Sequence, residues 1–129
     1  MTSALIVFAH GSRIEAANQA VRAAAADLAR LHSKPLVEAA FLELGRPSLE
    51  EAADLLVEKG AQILVILPYF LTPGLHLERD LPVLVKNISS KHNNIEVRVT
   101  ASLDGHPALV DILADRARAA LEVKPQALN

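Results

Sequence analysis

Apolar residues fall along this chain in short runs set between longer stretches of helical periodicity. Ser3 to Ala9 is an apolar run containing β-branched residues and closed by His10-Gly11-Ser12-Arg13, which predicts a strand and then a turn. From about Ile14 to Leu31, Ala17, Ala20, Val21, Ala24, Leu28 and Leu31 recur at helical spacing, which predicts a long alanine-rich helix with a narrow apolar face. Lys34 to Phe41 predicts a second strand, with Leu42-Glu43-Leu44-Gly45-Arg46 as the loop beyond it. Pro47 followed by Ser48-Leu49-Glu50-Glu51 predicts a helix start, with proline in the first turn and a serine-to-glutamate capping pair. Gly60 supplies the stop, and Leu49, Ala52, Ala53 and Leu56 make the inward face.

Gln62 to Leu67 holds the most apolar run of all and predicts the third strand. It empties into Pro68-Tyr69-Phe70-Leu71-Thr72-Pro73-Gly74-Leu75-His76, read as an elaborate loop before a helix that begins near Asp80, with Pro82 in its first turn. Leu81, Leu84, Val85 and Ile88 carry that helix's periodicity. Ile95 to Thr100 alternates as an edge strand does. Gly105-His106-Pro107 opens the last helix, with Leu109, Ile112, Leu113, Ala117 and Leu121 expected inward.

Four strands alternating with four helices imply an α/β three-layer sandwich, a parallel sheet flanked by helices on both faces through right-handed crossovers. The expected strand order is 2-1-3-4, with a switch point between strands 1 and 3. One domain over residues 1–122 and a frayed tail over 123–129 complete the expected organisation. A chain of 129 residues, 51% of them hydrophobic, suits one core that buries roughly two thirds of its unfolded surface.

Composition narrows the function. Net charge is -2 with scattered Lys and Arg, and aromatics make up 3% of residues, so neither a nucleic-acid footprint nor a base-stacking platform is present. Cysteine is absent, which excludes disulfides, thiolate metal sites, cysteine-bound iron-sulfur clusters and cysteine nucleophiles. The first apolar stretch is too short for a signal-peptide core or a membrane span, so a cytoplasmic protein without a membrane partner is the expectation.

On this topology His10 follows strand 1, Glu43 follows strand 2 and His76 follows strand 3, all at the sheet edge where α/β folds bind ligands. Two neutral imidazoles and a carboxylate suit a divalent first-row metal with open coordination positions, and they suit acid–base work equally. A lone histidine beside glycine at a strand end is more often a turn residue; it is the joint placement that favours chemistry here. His106 is explained by helix entry and held as a reserve ligand, and His32 and His92 are read as surface residues. Phe8, Phe41, Tyr69 and Phe70 cluster at the same sheet edge, where a flat apolar ligand could pack on some of them.

These segments resemble the small class II tetrapyrrole chelatases, which insert cobalt, nickel or iron into sirohydrochlorin. The matching residues are Ala9-His10-Gly11-Ser12-Arg13, then Phe41-Leu42-Glu43 with Pro47-Ser48, and above all the long block from Pro68 to Pro82 with His76 inside it. The resemblance covers nearly the whole chain. It implies a metal-chelatase enzyme, a lyase of cobalamin or other modified-tetrapyrrole synthesis. His10 and His76 would hold the incoming metal, with Glu43 at the family's acidic position. It also implies a half-domain that pairs as a homodimer, its strand ends facing a partner's across one cleft. Substrate contacts are expected from Ser12, Arg13, Arg46 and Thr72, with Tyr69, Phe70 and Leu71 on the cleft wall. The metal, Co2+ first and Ni2+ or Fe2+ after it, is a substrate and no permanent cofactor is expected. The alternative of another class is a metal or tetrapyrrole carrier without turnover.

Overall fold

The computed structural model describes residues 2–33, 36–72 and 74–122. The elements are β1 (Ser3–Ala9), α1 (Glu15–Leu31), β2 (Val37–Phe41), α2 (Leu49–Glu58), β3 (Ile63–Pro68), α3 (Leu75–Lys91), β4 (Glu96–Val99) and α4 (Pro107–Glu122). The expected order is found: β2-β1-β3-β4, every pair parallel. The tail over residues 123–129, like Lys34 and Pro35 in the expected second strand, lies outside the described residues.

β1 is the spine. Its residues alternate between faces, as the period of a strand requires. Ala4, Ile6 and Phe8 join Leu64 and Ile66 of β3 under α2 and α3, while Val7 and Ala9 join Ala39 and Phe41 of β2 under α1. Helix α2 follows the sequence closely: Leu49, Ala52, Ala53 and Leu56 are all buried, and each leucine side chain withdrawn this way contributes on the order of 1.5–3 kcal/mol. Its start is a capping box, in which the Ser48 hydroxyl accepts from the Glu51 N–H and the Glu51 carboxylate accepts from the Ser48 N–H. Pro47 stands just ahead of this cap rather than in the first turn, after a cis Arg46–Pro47 peptide bond, with its carbonyl bonded to the Phe41 N–H. Gly60, at φ +101°, ends the helix as expected.

Three further expectations need correction. Helix α3 begins at Leu75 instead of near Asp80, with Gly74 as an extended N-cap, so His76 lies in the first turn and Pro82 lies well inside the helix. Buried Leu77 explains the longer helix, because it extends the Leu81, Leu84, Val85 and Ile88 stripe by one more turn. On α1 the inward face is Asn18, Val21, Ala25 and Leu28, while Ala17, Ala20 and Leu31 face solvent. Alanine on every side of that helix had left its rotation undetermined.

The third correction concerns α4. It has an apolar stripe but no buried residue; Leu109 is half-buried, and Ile112, Leu113, Ala117 and Leu121 are exposed. The expectation that these residues face inward is not met, because the described sheet does not cover them. No helix among the described residues is long and apolar enough to cross a membrane.

Candidate metal and tetrapyrrole site

The C-terminal ends of β1 and β2 keep pairing after the strands stop. The Leu42 N–H donates to the Ala9 carbonyl at 2.9 Å, and the Glu43 N–H donates to the His10 carbonyl at 3.0 Å. Side chains at 10 and 43 are therefore delivered side by side by backbone geometry. Gly11, at φ +96°, turns the chain immediately afterwards.

Across this ladder His10 Nε2 stands 3.2 Å from Glu43 Oε1, and both side chains are more than half exposed. The other ring nitrogen, Nδ1, lies 3.3 Å from the Gly11 carbonyl oxygen. Both imidazole nitrogens thus face acceptor oxygens. A neutral ring donates to only one of them, and the space beside Nε2 and the carboxylate is open to solvent. A divalent metal is a fitting occupant, with an imidazole nitrogen and a carboxylate oxygen as ligands of matching character. Among the described side chains this is a pair, with no group of three or more His, Asp or Glu that could hold a metal.

His10 of this pair lines a cavity of about 420 Å³ together with Leu42, Phe70, Thr72, Gly74, Leu75 and Leu77. Phe70 is braced there by an edge-on contact with Phe8, ring centroids 6.1 Å apart. His76 sits between two of the lining residues, Leu75 and Leu77, and its backbone is placed at this edge of the sheet; its side chain lies outside the described part of the structure. The first turn of α3 also brings unpaired backbone N–H groups and the positive end of the helix dipole to the same place.

The remaining predicted site residues separate. Thr72 and Phe70 line the cavity with His10. Exposed Tyr69 and Leu71 line a second cleft of about 590 Å³, shared with Leu103, His106, Ala108, Leu109 and Ile112. His106 Nδ1 accepts from the Ala108 N–H at 3.0 Å, the helix-entry role read from its neighbours. Ser12 forms the turn into α1, its hydroxyl accepting from the Ile14 N–H. Arg13 is exposed beside it; Arg46 is ion-paired with Glu51, and Arg79 with Asp80. Phe8 and Phe41 are core residues, closed to any ligand.

Two polar residues carry roles that were not anticipated. Asn18 is the one buried polar side chain of the described core, and it bonds both strand-end loops. Its place in the Asn18-Val21-Ala25-Leu28 stripe, at spacings of three, four and three, was the available signal. His92, expected at the surface, is largely buried with Nε2 2.7 Å from Asp54.

The family model described as CbiX matches residues 4–120. A sirohydrochlorin cobaltochelatase of Sulfolobus acidocaldarius is 35% identical over 120 residues, which cover 93% of this chain and 94% of that protein. The chloroplastic sirohydrochlorin ferrochelatase of Arabidopsis thaliana is 34% identical over 112 residues, 87% of this chain but only 50% of its own length. In structure, the sirohydrochlorin chelatase SirB of Bacillus subtilis subspecies spizizenii, solved with cobalt, superposes with a TM-score of 0.81 and 27% identity. That match covers 92% of this chain and 51% of SirB.

Proposed function

This chain belongs to the CbiX family, and we propose that it is a sirohydrochlorin chelatase, inserting a divalent metal into the macrocycle with His10 and Glu43 at the reacting centre. The observation that carries the proposal is the His10–Glu43 pair, 3.2 Å apart at the strand ends, with His10 lining an apolar cavity. Insertion exchanges two pyrrole protons for one M2+ and strips the metal of water. Imidazole nitrogen and carboxylate oxygen would replace lost water ligands without binding as irreversibly as thiolates, and Glu43 or a freed imidazole would accept a departing proton. Leu42, Phe70, Leu75 and Leu77 offer an apolar wall to the face of the ring. His76, at the same edge, is the proposed second imidazole ligand.

Co2+ is the proposed metal. Imidazole and carboxylate suit Co2+, Ni2+ and Fe2+ alike. Favouring cobalt is the Sulfolobus protein named a cobaltochelatase, 94% of whose length is matched, against 50% of the Arabidopsis ferrochelatase. A homodimer is the proposed assembly, because the chain matches 51% of SirB and leaves both its strand-end rim and α4 uncovered.

Anaerobic mixing of sirohydrochlorin and Co2+ with catalytic amounts of protein tests the reading by absorbance, against a protein-free control. Many turnovers, abolished in His10→Ala, are expected. Stoichiometric binding without acceleration by Co2+, Ni2+ or Fe2+ would replace the enzyme with a carrier.

A further inference from the structure

We infer that Asn18 is a positioning residue that sets the separation of His10 and Glu43 by tying their two loops to the first helix. This rests on the chelatase reading for its functional consequence, and on geometry alone for the positioning itself. Asn18 is 2% exposed, and three of its hydrogen bonds are made with backbone on both sides of the site. Its Oδ1 accepts from the Ser12 N–H at 2.9 Å; its Nδ2 donates to the Ser12 carbonyl at 2.8 Å and to the Leu44 carbonyl at 3.0 Å. The amide orientation is dictated by these partners, since one end meets an N–H and the other meets two carbonyl oxygens.

The consequence follows from where Ser12 and Leu44 stand. Ser12 is two residues beyond His10, and Leu44 is one beyond Glu43. Backbone bonds fix the two chains up to Glu43, and the Asn18 amide fixes them just past it. Leu44 itself is held at φ +57°, a conformation unusual for leucine that its bonded carbonyl helps to retain. Next to it, a Cβ on Gly45 would fall 3.1 Å from Asn18 Nδ2, so the loop lies directly on this side chain. No apolar residue reproduces the arrangement, because removing the amide leaves one N–H and two carbonyls without their partner.

The test compares wild type, Asn18→Ala, Asn18→Asp and a remote control, Ile88→Val, chosen because Ile88 is buried on α3 outside the site. Asn18→Asp keeps the size and the acceptor but removes both donors. Amide hydrogen exchange without metal is the first readout. Exchange of the Glu43 N–H is expected to rise at least about tenfold in both Asn18 variants, and that of the Ser12 N–H in Asn18→Ala, relative to Val7 and Ala39, with both unchanged in Ile88→Val. Unchanged exchange in the Asn18 variants would overturn the inference.

The second readout is binding of Co2+ alone, followed by calorimetry and by the visible d–d bands. An affinity loss of about tenfold with altered bands is expected in the Asn18 variants and not in the control. Wild-type affinity and bands in both Asn18 variants would also overturn the positioning role. If wild type itself neither binds Co2+ nor turns over, the chelatase reading falls, and hydrogen exchange alone decides on Asn18.

Discussion

Gly11 and Glu43 meet backbone to backbone: a Cβ built on Gly11 would lie 1.7 Å from the Glu43 carbonyl oxygen and 2.9 Å from its carbonyl carbon. At φ +96° Gly11 also holds a conformation that side chains disfavour. Gly11→Ala therefore cannot be accommodated without parting the two loops. Strain of this kind costs about 1–3 kcal/mol. We expect a thermal midpoint several degrees lower and metal insertion slowed at least about tenfold, measured on the fraction that remains folded. An alanine variant with wild-type rates would show that loop contact does not set the pair's geometry.

His10 and Glu43 are expected to act as one unit. Glu43→Gln removes the proposed proton acceptor and one metal ligand while keeping the side chain's size, and a loss on the order of 100-fold in insertion rate is expected. His10→Ala should lose at least as much. Groups that serve one event are not additive, so the double variant should be little slower than His10→Ala alone. Steady-state rates for the four proteins of this cycle check the point; losses that multiply would mean that the two residues act separately.

Asp54 links α2 to the end of α3. Its carboxylate accepts from the Lys91 ammonium at 2.7 Å and meets His92 Nε2 at 2.7 Å. The Lys91 hydrogen bond, then that of His92, hold the Asp54 carboxyl below its ordinary value of 3.8 against the opposing effect of burial. The folded value is depressed, so the stabilisation is full above the unfolded value and is lost as pH falls through the folded one. Acid should therefore unfold Asp54→Asn less steeply below about pH 4, though the variant is weaker at neutral pH. Because the carboxylate is 38% exposed, solvent screening keeps the neutral-pH cost near ~0.5–1 kcal/mol. Urea unfolding at pH 7 and pH 3 measures both; parallel losses at the two values would remove Asp54 from acid sensitivity.

What the sequence could disclose depended on whether a residue's partner was local. The strands, the Ser48–Glu51 cap and the Gly60 stop are written in short-range patterns, and the structure has them in place. The neighbouring positions of His10 and Glu43 follow from strand order. By contrast, Pro82 was taken for a first-turn residue, whereas its ring sits at an exposed position inside α3, where a missing N–H costs less than at a buried one. His92 reads as a surface residue from the sequence, and Asn18 does not stand out there, because Asp54 and Leu44, which they bond, are distant in sequence. Local pattern can mark such a residue as inward-facing, as the α1 stripe does for Asn18, but it does not name the distant partner.

Helix α4 is the case where nothing among the described residues covers the apolar strip. Val110, Leu113, Ala117 and Leu121 fall on one strip of the helix, and Val110 and Leu113 are each 68% exposed. Beside the strip, Leu109 and Ile112 line the cleft that Tyr69 and Leu71 close from the strand-end side. Apolar residues are thus exposed on α4 and in the cleft beside the strand ends, and a second copy covering them would bring its own strand ends near those of the first. A stable dimer of this kind buries roughly 1,200–2,000 Å² in all. Leu113→Asp places a charge at the centre of that surface without touching the core. Sedimentation equilibrium should show wild type as a dimer and the variant as a folded monomer. Metal insertion by the variant should be low at every protein concentration, whereas that of wild type should fall only on dilution below its dimer dissociation constant, because each half-site then lacks its facing copy. A wild-type chain that stays monomeric at tens of micromolar would remove the dimer and leave α4 without an explanation.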